Sequence, residues 1–158
     1  MKIKQSLTLT WKWSFEIQDT ITGMKRKSEY FNLIPTIGKQ AFASQISWVN
    51  TTNIGDNLFV ALGSNTTTPL VSDTQLGTEV TRKAASSTTY SGAVGYVSTF
   101  FAAWEATGTH REFWLFGNGD STTASITANT GIMFSHVSAN ITVSWTETLT
   151  TTFQLSFV

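Results

Sequence analysis

Both ends of this chain alternate apolar and polar residues over unusual lengths, and no other feature restricts its fold as tightly. Ile3, Leu7, Leu9, Trp11, Trp13, Phe15 and Ile17 hold odd positions, while Lys4, Ser6, Thr8, Thr10, Lys12, Ser14, Glu16 and Gln18 hold even ones. At the other end Val137, Ala139, Ile141, Val143, Trp145, Leu149, Phe153, Leu155 and Phe157 alternate with serines, threonines, Asn140 and Gln154. Successive strand side chains point to opposite faces, so each run dictates a strand with one apolar and one wet face. At about 3.3 Å per residue, fifteen paired residues span roughly 50 Å, well past the usual strand of about 5–6 residues. Runs this long either bend across two sheets or form an extended ribbon.

Composition supports a β-scaffold. The chain has 158 residues, 41% of them hydrophobic, 13% aromatic and 13% charged. That length predicts one domain over residues 1–158 with a real core, its terminal strands 3–18 and 137–158 extended for subunit contacts. The charged share is about half the usual figure of roughly 25%; Thr and Ser fill the vacated surface, and β-branched Thr suits strands. Ten Lys+Arg balance ten Asp+Glu. A neutral chain lacks the electrostatic footprint for gripping phosphates, so nucleic acid is not an expected partner, and weak self-repulsion permits self-association. The absence of cysteine excludes disulfides, thiolate metal sites and cysteine nucleophiles. The first ten residues contain no apolar signal-peptide core, and no run approaches a transmembrane helix, so neither a secretory route nor a membrane is expected.

Between the terminal runs the punctuation is regular. Asp19 to Gly23 reads as a turn and Met24 to Phe31 as the returning strand, with Lys25, Arg26 and Lys27 on a solvated edge. Ile37, Ala41, Phe42, Ile46 and Val49 fall at helical spacing, predicting one helix over 37–49. Leu58 to Leu62 is a short buried strand, and Gly63 to Asp73 a Thr-rich loop. Ser72 with Gln75 fits a capping box, which predicts a helical turn over 73–79. Strands are expected over 81–89, 95–104, 111–116 and 125–134, and Asn118-Gly119 matches a type I′ hairpin turn. The resulting fold class is mainly β: an antiparallel β-sandwich, Greek-key or jelly-roll-like, of about eight strands with one short helix.

The inventory for chemistry is thin. His110 and His136 are the only histidines. His110 and Glu112 are spaced to share a strand face, but two ligands do not close a metal site. No nucleophile elbow is present, the Gly-rich stretches lack a strand–turn–helix phosphate context, and Asp56, Asp73 and Asp120 lack calcium-loop spacing. No catalytic residue, cofactor or metal is expected. Trp11 and Trp13 share one face of the first strand, while Trp114 faces away from Phe113. They are candidates for core or subunit-interface packing and, as the alternative, for a glycan platform.

One stretch is familiar. Phe59-Val-Ala-Leu-Gly-Ser-Asn-Thr-Thr-Thr-Pro69 followed by Ser72-Asp73-Thr74-Gln75-Leu76-Gly77-Thr78-Glu79-Val80-Thr81-Arg82 resembles a pattern of tailed-bacteriophage structural proteins: an "ALG" strand, a Thr/Pro loop, then "DTxLxxExxR". Glu105-Ala106-Thr107-Gly108 with Arg111 to Phe116 resembles the same group's glycine turn and following strand, departing from it in carrying Phe113-Trp114 where small residues often stand. The resemblance implies an attachment module of tail-collar fibres or a related small virion protein. No fibre shaft follows Val158, so the expected forms are an adaptor, a short knob or a capsid decoration protein. It further implies a virion location after assembly in the host cytoplasm. The implied partners are other copies of the chain, a trimer being one option, and other virion proteins, with a glycan receptor as the alternative. Asp73, Glu79, Arg82, Arg111 and Glu112 are its candidate structural residues. Glu79 and Arg82, three apart on the expected turn, would tie the Thr-rich loop to the sheet or form an inter-subunit salt bridge.

Overall fold

A computed structural model describes residues 9–46, 55–118 and 123–157. Two antiparallel sheets pack face to face as a β-sandwich with one short helix. In chain order the elements are β1 (Leu9–Asp19), β2 (Lys25–Phe31), α1 (Thr36–Ile46), β3 (Phe59–Gly63), β4 (Glu79–Ala84), β5 (Ser87–Ser91), β6 (Val94–Phe101), β7 (Gly108–Gly117), β8 (Ile132–Val143) and β9 (Glu147–Phe157). The five-stranded sheet runs β2-β1-β9-β6-β5 and the four-stranded sheet β4-β3-β7-β8. Consecutive hairpins therefore alternate between the sheets, and β9 returns to lie between β1 and β6.

The terminal runs behave as their alternation requires. Trp11, Trp13, Phe15 and Ile17 are buried against Leu149 and Phe153 of β9 and Val137, Ala139, Ile141 and Val143 of β8. The long C-terminal run is not one strand: it breaks at Ser144–Thr146 and crosses from one sheet to the other. β1 and β9 pair from Leu9↔Phe157 to Asp19↔Glu147. Each has its second edge taken as well, β1 by β2 and β9 by β6. β9 is thus a central strand, and β1 is covered on its second edge from Lys12 on. Residues 137–143 of the expected C-terminal strand belong to β8, at an edge of the other sheet, and residues 3–8 of the expected first strand lie outside the described residues.

Three other expectations change. The single strand over 81–89 is two, β4 and β5, separated at Ala85–Ser86 and lying in different sheets. The strand over 125–134 begins only at Ile132, and residues 123–131 form a loop. No helical turn forms over 73–79. The Leu70 amide donates to Asp73 Oδ2 at 2.7 Å and the Asp73 amide to the Leu70 carbonyl at 3.1 Å, so local side-chain bonding closes a turn that competes with helix. The helix α1 docks on β8 through Phe42, whose ring meets Trp11 and Phe134 edge-on at 5.3 and 5.7 Å. Gly38 permits that approach: a Cβ there would sit 2.8 Å from the Met133 carbonyl. Positions 47–49 of the expected helix, and Gly119 of the Asn-Gly turn, lie outside the described residues.

Candidate functional site

The four-stranded sheet is buried on both faces, which explains the unbroken apolar run Phe113-Trp-Leu-Phe116. Phe113 and Leu115 face the sandwich interior, while Trp114 and Phe116 belong to a second cluster with Ala61, Leu76, Ala124 and Met133. Loops 64–78 and 123–131 cover that outer cluster. The candidate structural residues gather there, Arg111 excepted.

His136, on β8, is the centre of the first group. Its ring packs against Trp114 at 3.9 Å between centroids. His136 Nδ1 lies 3.1 Å from Asp73 Oδ2, and Nε2 lies 3.7 Å from Glu112 Oε1, too far for a hydrogen bond. Burial holds the imidazole pKa down to about 4, against the opposing pull of Asp73. The neutral ring therefore donates from Nδ1 to the Asp73 carboxylate and turns its Nε2 lone pair toward Glu112. Burial pushes the Glu112 carboxyl up, while the amides of Thr78, Asn65 and Gly77 pull it down; its Oε2 has no partner at hydrogen-bond geometry. Gly63 makes room for this carboxyl, since a Cβ there would fall 2.7 Å from Oε2. The expected sharing of one face by His110 and Glu112 does not occur. The β7–β8 register slips between them, two β8 residues (Ala139 and Asn140) standing opposite Arg111, and the two β7 side chains fall on opposite faces. His110 instead packs on Phe113 and engages the Ala106 carbonyl at 2.8 Å. Arg111, at the slip, is exposed. Among the described residues no three His, Asp or Glu side chains are placed to hold a metal.

Glu79 and Arg82 form the second group, as a pair within one protomer. Arg82 Nε donates to Oε1 at 2.7 Å and Nη2 to Oε2 at 2.9 Å, with side chains only 2% and 4% exposed. Residues three apart on a regular strand point to opposite faces. Here Leu62 pairs with Thr81 but Gly63 with Glu79, so Val80 is an extra residue whose bulge brings Glu79 onto the face of Arg82. Arg82 Nη1 holds the Thr130 carbonyl at 2.8 Å and the Ser125 carbonyl at 3.2 Å, and the guanidinium lies 4.2 Å over the Phe116 ring. The pair thus fastens loop 123–131 to β4, not the Thr-rich loop, which is held at Asp73. Sequence reasoning missed His136 as the link between Asp73 and Glu112, and only its place in a polar–apolar alternation marked it.

The aromatic candidates are spent internally. Trp11, Trp13 and Trp114 are all buried in the protomer, and Trp13 Nε1 donates to Ser135 Oγ at 2.7 Å. Trp11 reaches the wall of an apolar pocket with Phe42, Phe153 and Leu155. Four of the exposed apolar side chains stand at one end of the sandwich. The register pairs Asp19 with Glu147, Phe101 with Leu149 and Gly108 with Val143, so the turns after β1, β6 and β8 lie side by side there. Thr20 bonds the Thr146 carbonyl through both its amide and its hydroxyl. Ile21, Met24, Trp104 and Trp145 project from these turns, 71–76% exposed. Trp104 has a left-handed backbone, φ 72°, which costs a non-glycine residue roughly 1–2 kcal/mol. Charges at this end are engaged: Arg26 with Glu147, Lys83 with Glu105, and Asp19 with the amides of Ile21 and Thr22.

The chain matches no known protein family, no curated protein and no solved structure.

Proposed function

We propose that this protein is a non-enzymatic structural component of a phage virion, a tail or fibre adaptor or a capsid decoration protein, that self-associates and docks on other virion proteins. The observation that carries the reading is the row of apolar turn tips, Ile21, Met24, Trp104 and Trp145, at one end of a neutral sandwich. Contiguous exposed apolar side chains mark interaction sites, and Trp is among the residues that dominate binding energy. The internally paired charges around the row leave it suited to a neutral, apolar partner surface. The sequence resemblance to tailed-phage structural proteins supplies the particle.

Immunogold electron microscopy on phage particles, with antibody to the recombinant chain, tests it. Label over the head makes the protein a decoration protein, and label at the tail an adaptor or fibre part. Absence of label on intact particles overturns the virion reading. The exposed Trp104 and Trp145 rings also favour a second reading, a glycan- or receptor-binding module. Glycan-array binding that is lost in Trp104→Ala and Trp145→Ala, with the melting temperature retained, would put that reading first.

A further inference from the structure

An open sandwich has four sheet edges, and each is a template for pairing unless something blocks it. Three are blocked here. β2 carries Lys25, Arg26, Lys27 and Glu29. β4 is broken by the bulge at Val80. On β8, Leu33 and His136 exchange both amide–carbonyl bonds at 3.0 Å, and Arg26 takes the Thr142 carbonyl.

The fourth edge, β5, has none of these devices. Its sequence is Ser-Thr-Thr-Tyr-Ser, all five residues are exposed, and it carries no charge and no proline. It pairs with β6 in unbroken register and, among the described strands, has no other neighbour. The hairpin closes at Ser91↔Val94. In a two-residue hairpin the closing pair exchanges both hydrogen bonds, and bonded and non-bonded pairs then alternate. Ser87, Thr89 and Ser91 are therefore bonded to β6, and the N–H and C=O groups of Thr88 and Tyr90 aim away from the sheet.

We propose that β5 is a self-pairing edge, through which two copies of this chain join antiparallel about a two-fold axis at Thr89. Thr88 of each copy exchanges hydrogen bonds with Tyr90 of the other, Thr89 faces its own symmetry mate, and the two five-stranded sheets become continuous. A second copy fits because the edge offers no charge for a charged segment to match. The formal net charge of zero also removes long-range repulsion between copies. Tyr90, 85% exposed, gains cover from the partner strand. Such a contact is isologous and closes on itself, so it builds dimers and not the trimer. The inference rests on the self-association part of the function proposed above and assigns it to one edge, in place of the terminal strands. Of these, β9 is central, β1 is covered by β2 from Lys12 on, and β8 has its edge engaged at Leu33 and Arg26.

Sedimentation velocity on the full chain across a concentration series tests it. The wild type is expected to show a monomer–dimer equilibrium. Thr88→Pro removes an outward donor without breaking a bond to β6, and is expected to stay monomeric with an unchanged melting temperature. Thr89→Lys and Thr89→Glu each place like charges across the axis, raising the dissociation constant about tenfold. Their equimolar mixture pairs opposite charges and is expected to dimerise at least as well as wild type. If Thr88→Pro fails to fold, the charge-swapped pair decides. Wild type that stays monomeric throughout overturns both this edge and self-association. Wild type that associates equally well in all three variants overturns the edge and leaves self-association standing.

Discussion

His136 is a histidine that the fold keeps neutral, and this gives the protein a particular acid response. The unfolded chain binds that proton near pH 6.5, the folded chain only near pH 4. Between these values the unfolded state holds more protons, so stability falls as pH falls. The gap is worth about 3 kcal/mol in full, most of it lost above pH 4.5. Burial also lowers the His110 pKa, with the same sign. Glu112, raised by burial, acts oppositely: its contribution is present at low pH and is lost as pH rises through its folded value. Urea midpoints measured from pH 7 down to 4.5 should therefore fall. His136→Asn, which keeps a neutral donor for Asp73, should remove most of that slope and leave the opposed shares of His110 and Glu112. An unchanged slope in this variant would mean that His136 titrates normally in the folded protein.

At the scale of the element, one inserted residue decides where a charge goes. Were Val80 an ordinary paired residue of β4 and not its extra one, Glu79 would point away from Arg82, leaving a buried guanidinium without its carboxylate. Breaking a buried pair by removing one partner costs about 3–5 kcal/mol, because the remaining charge is uncompensated. Glu79→Ala is expected to cost about that much in urea unfolding, and to release loop 123–131, which hangs on Arg82 Nη1, to faster amide exchange. Deleting Val80, by contrast, leaves the two residues two apart on one face and is expected to keep the pair. Retained stability in Glu79→Ala would show that the guanidinium finds its compensation elsewhere. The same logic governs β7, where the slip between His110 and Glu112 sends the imidazole into the sandwich and the carboxyl to the outer cluster.

For the whole molecule, β9 is the keystone of the five-stranded sheet. It pairs along its length with β1 and over most of it with β6, joining the first and last thirds of the chain. A chain ending at Thr146 splits that sheet into two unconnected hairpins, β1–β2 and β5–β6, and uncovers Trp13, Phe15 and Ile17. Isolated hairpins are marginal in water, so no cooperative transition is expected in urea, read by far-UV circular dichroism. A cooperative transition in the truncated chain would place the folding unit elsewhere.

Much of the fold is local and was readable as such. Alternation along Leu9 to Ile17 and Leu149 to Phe153 is carried by neighbouring residues, because a strand turns each side chain opposite to the last whatever surrounds it. The Asp19–Gly23 turn, the helical spacing from Ile37 to Phe42 and the low charge are legible for the same reason. The break at Ser144–Thr146 keeps Trp145 at an apolar position of the run, so the alternation reads through it, and only Glu147 at an odd position interrupts the pattern there. The bulges at Val80 and between His110 and Glu112 arise from how neighbouring strands align, a property of pairs distant in sequence. They decided that Glu79 meets Arg82 and that Glu112 leaves His110 for His136, while the packing of the two sheets and α1 covers Trp11 and Trp13. The sequence by itself determined the strands and which of their faces are greasy. Which strands pair, and therefore which charges meet and which edge stays open, only the tertiary structure decided, because register is set by contacts between residues far apart in the chain.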